Sequence, residues 1–156
     1  MNLQFKSLSD HSNISDIKEY INNMITLFPG LKIYVGTDSQ NSSRMTTYAT
    51  VIVLHFNESD SGKGAHVIYC KELLPKIRDK YTRLWGEVER SLEVSQILRN
   101  SDINVQNIDL DFNEDPKYKS NDILRAAVGY IEASGFTPRW KPNNAFSCRV
   151  ADTLCK

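Results

Sequence analysis

The chain has no surplus of positive charge. Its 156 residues include 19 Lys and Arg against 19 Asp and Glu, so it lacks the field that draws a strongly basic domain to nucleic acid. Any nucleic-acid contact must therefore depend on a local basic patch. Apolar residues make up 40% of the chain and charged residues 24%. These fractions are close to the globular average and exclude a fibrous or disordered class.

Cysteine and histidine are also scarce. The cysteines form no CxxC pair and are odd in number, which argues against a disulfide framework or a cysteine zinc site. We predict reduced, partly buried thiols at Cys70, Cys148 and Cys155. The histidines are scattered over three segments, so a shared zinc site is not expected at His11, His55 and His66.

Targeting and nucleotide-binding signatures are missing as well. Residues 1–10 have neither the basic start nor the apolar core of a signal peptide, and no apolar run approaches the roughly 18 residues of a membrane span. We therefore expect a cytoplasmic protein without a membrane contact. No Walker sequence occurs, which argues against nucleotide hydrolysis by a P-loop mechanism.

Hydrophobic periodicity predicts alternating helices and strands. Apolar residues recur at helical spacing over 14–28, before Pro29 and Gly30 end the pattern. Three strand-like segments follow, separated by polar turns, and a long helix is predicted over 78–100. The predicted strands are 31–37, 46–56, 66–73, 103–112 and 136–140, and the later helices are 121–134 and 144–156.

This element order predicts an α/β fold. Three antiparallel strands form a meander, and βαβ connections add two more, which gives a mixed five-stranded sheet flanked by helices. The length of 156 residues by itself favours one domain.

Acidic residues occur where strands are predicted to end. Asp38 follows the first apolar strand, and Gly36 on the same strand face leaves space beside it. Asp109 and Asp111 are two residues apart near the end of the fourth strand, so their side chains share one face. Taken singly, each acid has a simpler interpretation, as a turn acceptor or the start of a polar loop.

Two predicted helices supply further acids. Glu87 is the acid of the long helix that shares the apolar stripe with Leu84 and Ser91, although pairing with a neighbouring arginine is an alternative. Asp152 lies among small and apolar residues of the closing helix, where a buried acid needs a partner or a cation. The joint arrangement is more specific than any one acid.

Carboxylate oxygens without a histidine cluster favour Mg²⁺ or Mn²⁺. Two such ions, roughly 3.5–4 Å apart, activate water on one side of a phosphodiester and stabilise the leaving oxygen on the other. The candidate ligands are Asp38, Glu87, Asp109, Asp111 and Asp152.

These residues resemble the ribonuclease H-like superfamily and, more narrowly, the bacterial YkuK-like group. The resemblance covers residues 31–156, which it implies form the domain, and leaves residues 1–30 as an N-terminal helical extension. Its matching segments are 36–40, 83–93, 109–113 continuing to 119–120, and 141–152. It implies a ribonuclease H-like fold with four catalytic acids, one each from the first strand, the long helix, the fourth strand and the last helix. These are Asp38, Glu87, Asp111 and Asp152, with Asp109 as the alternative to Asp111.

Several polar residues beside the acids are candidates for substrate contact. The matched segments imply this role for Ser39, Gln40 and Asn113. Lys119 and Ser120 precede a predicted helix, whose N-terminal amides favour phosphate, and an ordinary helix cap is equally compatible.

A basic patch with an aromatic residue is present in the last third of the chain. Lys141 follows Trp140, and Arg139 and Arg149 are close in sequence. Such a patch suits nucleic-acid backbone contact with base stacking, whereas a solvated surface is the alternative interpretation.

The leading hypothesis from the sequence is a nuclease that hydrolyses RNA, an RNA–DNA hybrid or DNA by a two-metal-ion mechanism. Electrical neutrality argues against tight duplex binding and leaves a small or single-stranded substrate. The alternative is a non-catalytic nucleic-acid- or protein-binding module on the same fold.

Overall fold

The computed structural model describes residues 3–56, 64–113, 115, 117–118, 120–141 and 146–156. Strands and helices alternate after an N-terminal hairpin. Their bounds are β1 Phe5–Ser7, β2 Asn13–Ile14, α1 Ile17–Leu27, β3 Lys32–Asn41, β4 Met45–His55, β5 Ala65–Pro75, α2 Lys80–Arg99, β6 Asn107–Asn113, α3 Asn121–Ala133, β7 Pro138–Lys141 and α4 Phe146–Cys155.

One mixed sheet organises the molecule, in the order β2-β1-β5-β4-β3-β6-β7. Strands β3, β4 and β5 form the predicted antiparallel meander. Strand β6 then pairs in parallel with β3, and β7 in parallel with β6. The α/β class, the meander and the parallel additions are therefore confirmed.

The predicted number of strands was wrong, because the sheet has seven strands and not five. The two additional strands, β1 and β2, form a short hairpin that pairs with the outer edge of β5. Strands of three and two residues are too short to produce a visible alternation in the sequence. They cover a sheet edge that would otherwise present unpaired backbone groups.

Helix α1 begins at Ile17, three residues later than the periodicity indicated. Asp16 is its N-cap, and the Asp16 carboxylate accepts the backbone N–H groups of Lys18 at 3.0 Å and Glu19 at 3.2 Å. Ile14, which was counted in the helical pattern, belongs to β2.

Helices cover both faces of the sheet. The larger apolar cluster joins buried residues of α1, α2 and α3 to one face, and the smaller cluster packs α4 on the other face. Strand β4 serves both clusters because its side chains alternate, with Val51 and Val53 toward α4 and Ile52 and Leu54 toward α2. No helix within the described ranges has the length and apolar character needed to cross a membrane.

The strands diverge at the position that the sequence marked as functional. Strand β3 pairs with β4 along its whole length, but it pairs with β6 only from Tyr34 to Gly36. Asp38 was predicted to end its strand, and this was wrong: it lies inside β3, opposite Ala49 of β4. Strand β3 continues past Asp38, but its pairing with β6 ends at Gly36.

Candidate active site

Alternation along β3 sends its polar side chains to opposite faces of the sheet. Thr37 is buried, and its hydroxyl hydrogen-bonds Ser91 of α2 at 2.7 Å. On the other face, a Cβ added to Gly36 would lie 2.7 Å from Ser147 Oγ of α4. Glycine is therefore required for the close approach of α4 to β3. Asp38 shares the Gly36 face of β3, so it also faces α4, and Asp152 of that helix influences its pKa.

Asp38 is partly buried, and its environment disfavours its charge. Burial is the largest cause that raises the pKa of Asp38 to about 7, and the negative charges of Asp111 and Asp152 raise it further. A side-chain hydrogen bond with Asp152 acts in the same direction, while the backbone N–H of Ser39 lowers the pKa. Three acids from β3, β6 and α4 therefore share one electrostatic site.

Glu87 reaches the same site from α2. It is only 3% exposed, which agrees with the stripe that placed it on the inner face of the helix. Ser39 Oγ donates to Glu87 Oε1 at 2.5 Å, and Arg83 Nη1 donates to Ser39 Oγ at 2.7 Å. Burial and the charge of Asp38 raise the pKa of Glu87 well above its usual value, whereas Ser39 and Arg83 lower it.

Asp111 lies where β6 and β7 lose their regular register. Asp109 pairs with Arg139 and Asn113 with Lys141, so four steps along β6 correspond to two along β7. Such an irregularity re-aims side chains. The Asp111 carboxylate accepts from Lys141 Nζ at 2.6 Å, and this contact is the main cause that raises the pKa of Lys141.

Asp109 has a different environment from Asp111. It is 0% exposed, and its two oxygens accept from Arg139 at 2.8 Å and 3.2 Å. The Ser147 hydroxyl also donates to it. A carboxylate whose oxygens are engaged in this way is poorly placed to take a cation, and this environment favours Asp111 as the ligand from β6.

Helix α4 contributes Asp152 and a buried thiol. Asp152 accepts from Lys156 Nζ at 2.9 Å, one helical turn later. Cys148 is 1% exposed, and burial followed by the charge of Asp109 raises its pKa well above the usual value. Cys148 is therefore a neutral side chain beside the acids. All three cysteines are free and buried, as the sequence indicated.

The donor set suits a hard divalent cation, because it consists of carboxylates with a serine hydroxyl and contains no imidazole. Burial first, and then the charges of Asp111 and Asp152, raise the pKa of Asp38, and a bound cation would offset the repulsion among these acids. Within the part of the chain that the structure describes, no three His, Cys, Asp or Glu side chains are already grouped to hold a metal ion. Two of the four acids instead have lysine partners.

The candidate substrate residues differ in how the structure places them. Ser39 is buried and orients Glu87, whereas Gln40 is exposed on the same strand. Ser120 precedes α3 and makes no side-chain cap hydrogen bond to it. Lys119 and the side chain of Asn113 lie outside the described residues. Lys141 forms an ion pair with Asp111.

The sequence argument missed several residues of this site. Lys156, the residue after the end of α4, follows Asp152 by four residues, a spacing that predicts the pair. Arg83 was considered from the sequence as a partner of Glu87, but its hydrogen bonds go to Ser39 and not to the glutamate itself. Nothing in the sequence indicates Ser147, because its contact with Asp109 depends on how α4 docks.

His11 and His66 hydrogen-bond tyrosines and none of the acids discussed above. His11 hydrogen-bonds Tyr69 at 2.8 Å, and His66 hydrogen-bonds Tyr20 at 2.7 Å. Burial lowers the pKa of His66. The partner tyrosines belong to β5 and α1, so these hydrogen bonds support structural roles for His11 and His66.

Comparison with known proteins gives one match. A family model described as "Ribonuclease H-like" matches residues 13–156, a span that begins in β2 and includes every acid discussed above. No curated protein and no solved structure matches the chain.

Proposed function

Because the chain belongs to the ribonuclease H-like family, we propose that it is a metal-dependent nuclease that hydrolyses phosphodiester bonds of RNA, an RNA–DNA hybrid or DNA. The observation that carries the proposal is the electrostatic coupling of four acids from four elements. The charges of Asp111 and Asp152 raise the pKa of Asp38, and the charge of Asp38 raises the pKa of Glu87. Pairs of perturbed carboxylates are concentrated at functional sites.

In the proposed mechanism, Asp38, Glu87, Asp111 and Asp152 would hold Mg²⁺ or Mn²⁺. Two such ions would, when bound, supply activation of the attacking water and stabilisation of the leaving oxygen. The chain's own contribution is orientation: Ser39 and Arg83 fix the Glu87 carboxylate. Arg139 and Ser147 hold Asp109, and thereby fix the strand that carries Asp111.

The lysine partners give Lys141 and Lys156 a second role in this proposal. In the metal-free protein their ammonium groups neutralise Asp111 and Asp152. At the site, the same ammonium groups would bind substrate phosphate when they are not paired with the carboxylates.

A non-catalytic binding module is the second candidate. The observation in its favour is that two acids already have lysine partners, and that no three-acid group is preformed among the described residues. Binding of nucleic acid without any cleavage in Mg²⁺ or Mn²⁺ supports this candidate.

The first prediction compares two glutamates of α2. Glu87 is buried at the acids, whereas Glu89 is exposed on the same helix. Glu87→Gln is expected to lower Mg²⁺-dependent cleavage of RNA, hybrid and DNA substrates by about 10²–10³-fold, because an amide replaces a carboxyl group that would bind the cation. Glu89→Gln is the matched control and should cleave like the wild type. Equal activity of both variants contradicts the assignment of Glu87.

The second prediction concerns the competition of Lys141 with the cation. Lys141→Met removes the ammonium group that pairs with Asp111 at 2.6 Å. The pair is partly exposed and worth up to about 1 kcal/mol, so Mn²⁺ affinity should increase by about 2- to 5-fold in calorimetric titration. Lys117→Met, which removes an exposed pair with Asp115, is the control. Unchanged or weaker Mn²⁺ binding by the Lys141 variant refutes the competition.

A further inference from the structure

The edge of the sheet beyond the acids contains a cleft between α3 and β7. Its volume is about 620 Å³, which is in the range of small-ligand sites. Trp140 of β7 forms one wall. Residues from the first half of α3 form the other wall, namely Asn121, Asp122, Leu124, Arg125 and Val128.

Trp140 and Lys141 connect this cleft to the acids. Arg139 contacts Asp109 and lies over the Tyr34 ring, on the α4 face of the sheet. Lys141 is two residues later and contacts Asp111. Trp140 lies between them, so strand alternation sends it to the opposite face, where it packs against the α3 side of the core. In the described part of the chain β7 is the last strand of the sheet, so a path from the cleft to the acids runs around the β7 edge.

The chemistry of the cleft suits one unpaired nucleobase. The half-buried indole of Trp140 offers an aromatic surface held in place by the core, and stacking on such a surface accepts any base. Leu124 and Val128 line the cleft with apolar surface, and the exposed Arg125 adds a positive charge that suits a phosphate. Asp122, the acid among the described lining residues, accepts a hydrogen bond from Tyr81 at 2.7 Å.

The charge balance of the chain points to the same substrate class. A duplex binder depends on many lysine and arginine contacts to phosphate, but this chain has 19 basic and 19 acidic residues. Base stacking supplies affinity without a surplus of positive charge. A paired base inside a duplex cannot enter a cleft of this kind without leaving its stack.

We infer that the substrate is single-stranded nucleic acid, and that the α3–β7 cleft binds a nucleobase next to the phosphate held at the acids. This inference rests on the proposed nuclease function. It adds Trp140 and Arg125 as residues that select unpaired strands, with Lys141 linking the cleft to the acids.

Fluorescence provides the test, because the chain has two tryptophans. In a Trp85→Phe background, Trp140 is the sole reporter. Oligothymidylate added in EDTA should quench its fluorescence, and the matching blunt duplex should not. In anisotropy titrations with labelled oligothymidylate, Trp140→Leu is expected to weaken binding by about 5- to 150-fold. Trp140→Phe keeps an aromatic ring and should bind with intermediate affinity, and Trp85→Phe should bind like the wild type.

The outcomes separate this inference from the nuclease proposal. If the wild type cleaves but oligothymidylate binds the Trp140→Leu and Trp140→Phe variants as tightly as the wild type, the cleft assignment is wrong and the nuclease proposal stands. If oligothymidylate quenches Trp140 but no substrate is cleaved in Mg²⁺ or Mn²⁺, the cleft stands as a binding site and the nuclease proposal fails. Equal quenching by duplex and single strand overturns the selection of unpaired strands. Circular dichroism shows whether Trp140→Leu keeps its fold. If it does not, the affinity of Trp140→Phe for oligothymidylate decides whether the cleft binds a base.

Discussion

Asp38→Asn is expected to reduce metal-dependent cleavage by at least about 10³-fold, because losing a ligand carboxylate removes several kcal/mol of transition-state stabilisation. The substitution keeps the size of the side chain and removes its charge. Cleavage of single-stranded RNA and DNA in Mg²⁺ and in Mn²⁺ is the measurement. A contaminating nuclease is not affected by the substitution. If the variant therefore cuts as fast as the wild type, the measured cleavage does not depend on Asp38 and the nuclease proposal loses its support.

The same variant should be more stable than the wild type when metal is absent. The pKa of Asp38 is raised from 3.8 to about 7, so the folded protein takes up a proton that the unfolded chain releases in this range. The contribution of Asp38 to stability is therefore complete below about pH 4 and is lost as pH rises through about 7. Each pKa unit corresponds to about 1.4 kcal/mol, and partial exposure reduces the effect. We expect Asp38→Asn to gain about 1–3 kcal/mol at about pH 8.

Urea denaturation in EDTA at about pH 5 and about pH 8 measures this effect. The wild type should lose more stability between the two pH values than the Asp38→Asn variant. Asp102→Asn is the matched control, because Asp102 is exposed and has a φ of 59°, a conformation that Asn tolerates. A pH dependence that is identical in the Asp38 variant and the wild type contradicts the electrostatic account of the site.

Asp109→Asn should cause the largest loss of stability among the acid variants. It removes the anion that Arg139 contacts through two nitrogens and that Ser147 also contacts. Breaking a buried pair leaves an uncompensated charge. Because Arg139 is 26% exposed, we expect a cost of about 2–4 kcal/mol, below the range for a fully buried pair. Thermal and urea denaturation measure it.

Asp111→Asn is the matched comparison for Asp109→Asn, in both stability and cleavage. Asp111 and its partner Lys141 are partly exposed, so the stability cost should stay below about 1 kcal/mol. Cleavage should nevertheless fall by about 10²–10³-fold, since a ligand carboxylate is lost. If instead Asp109→Asn folds normally and loses cleavage while Asp111→Asn remains active, the roles of the two aspartates are reversed.

The pair Asp109 and Asp111 illustrates where sequence reasoning reached its limit. Spacing by two residues places both side chains on one face of a strand, but it does not say what occupies that face. The structure separates them through Arg139 and Ser147 for one and Lys141 for the other. These partners come from β7 and α4, and their positions depend on packing between elements distant in the sequence.

The sequence by itself determined the α/β class, the antiparallel meander, the order of the later strands and helices, and the inward position of Glu87. These features are local, because periodicity, capping and turn residues act within a few positions of the chain. The tertiary structure alone decided that β1 and β2 extend the sheet and that α4 docks against Gly36. It also decided that β6 leaves β3 beside Asp38. Register and docking depend on contacts between distant segments, which alternation along one strand cannot specify.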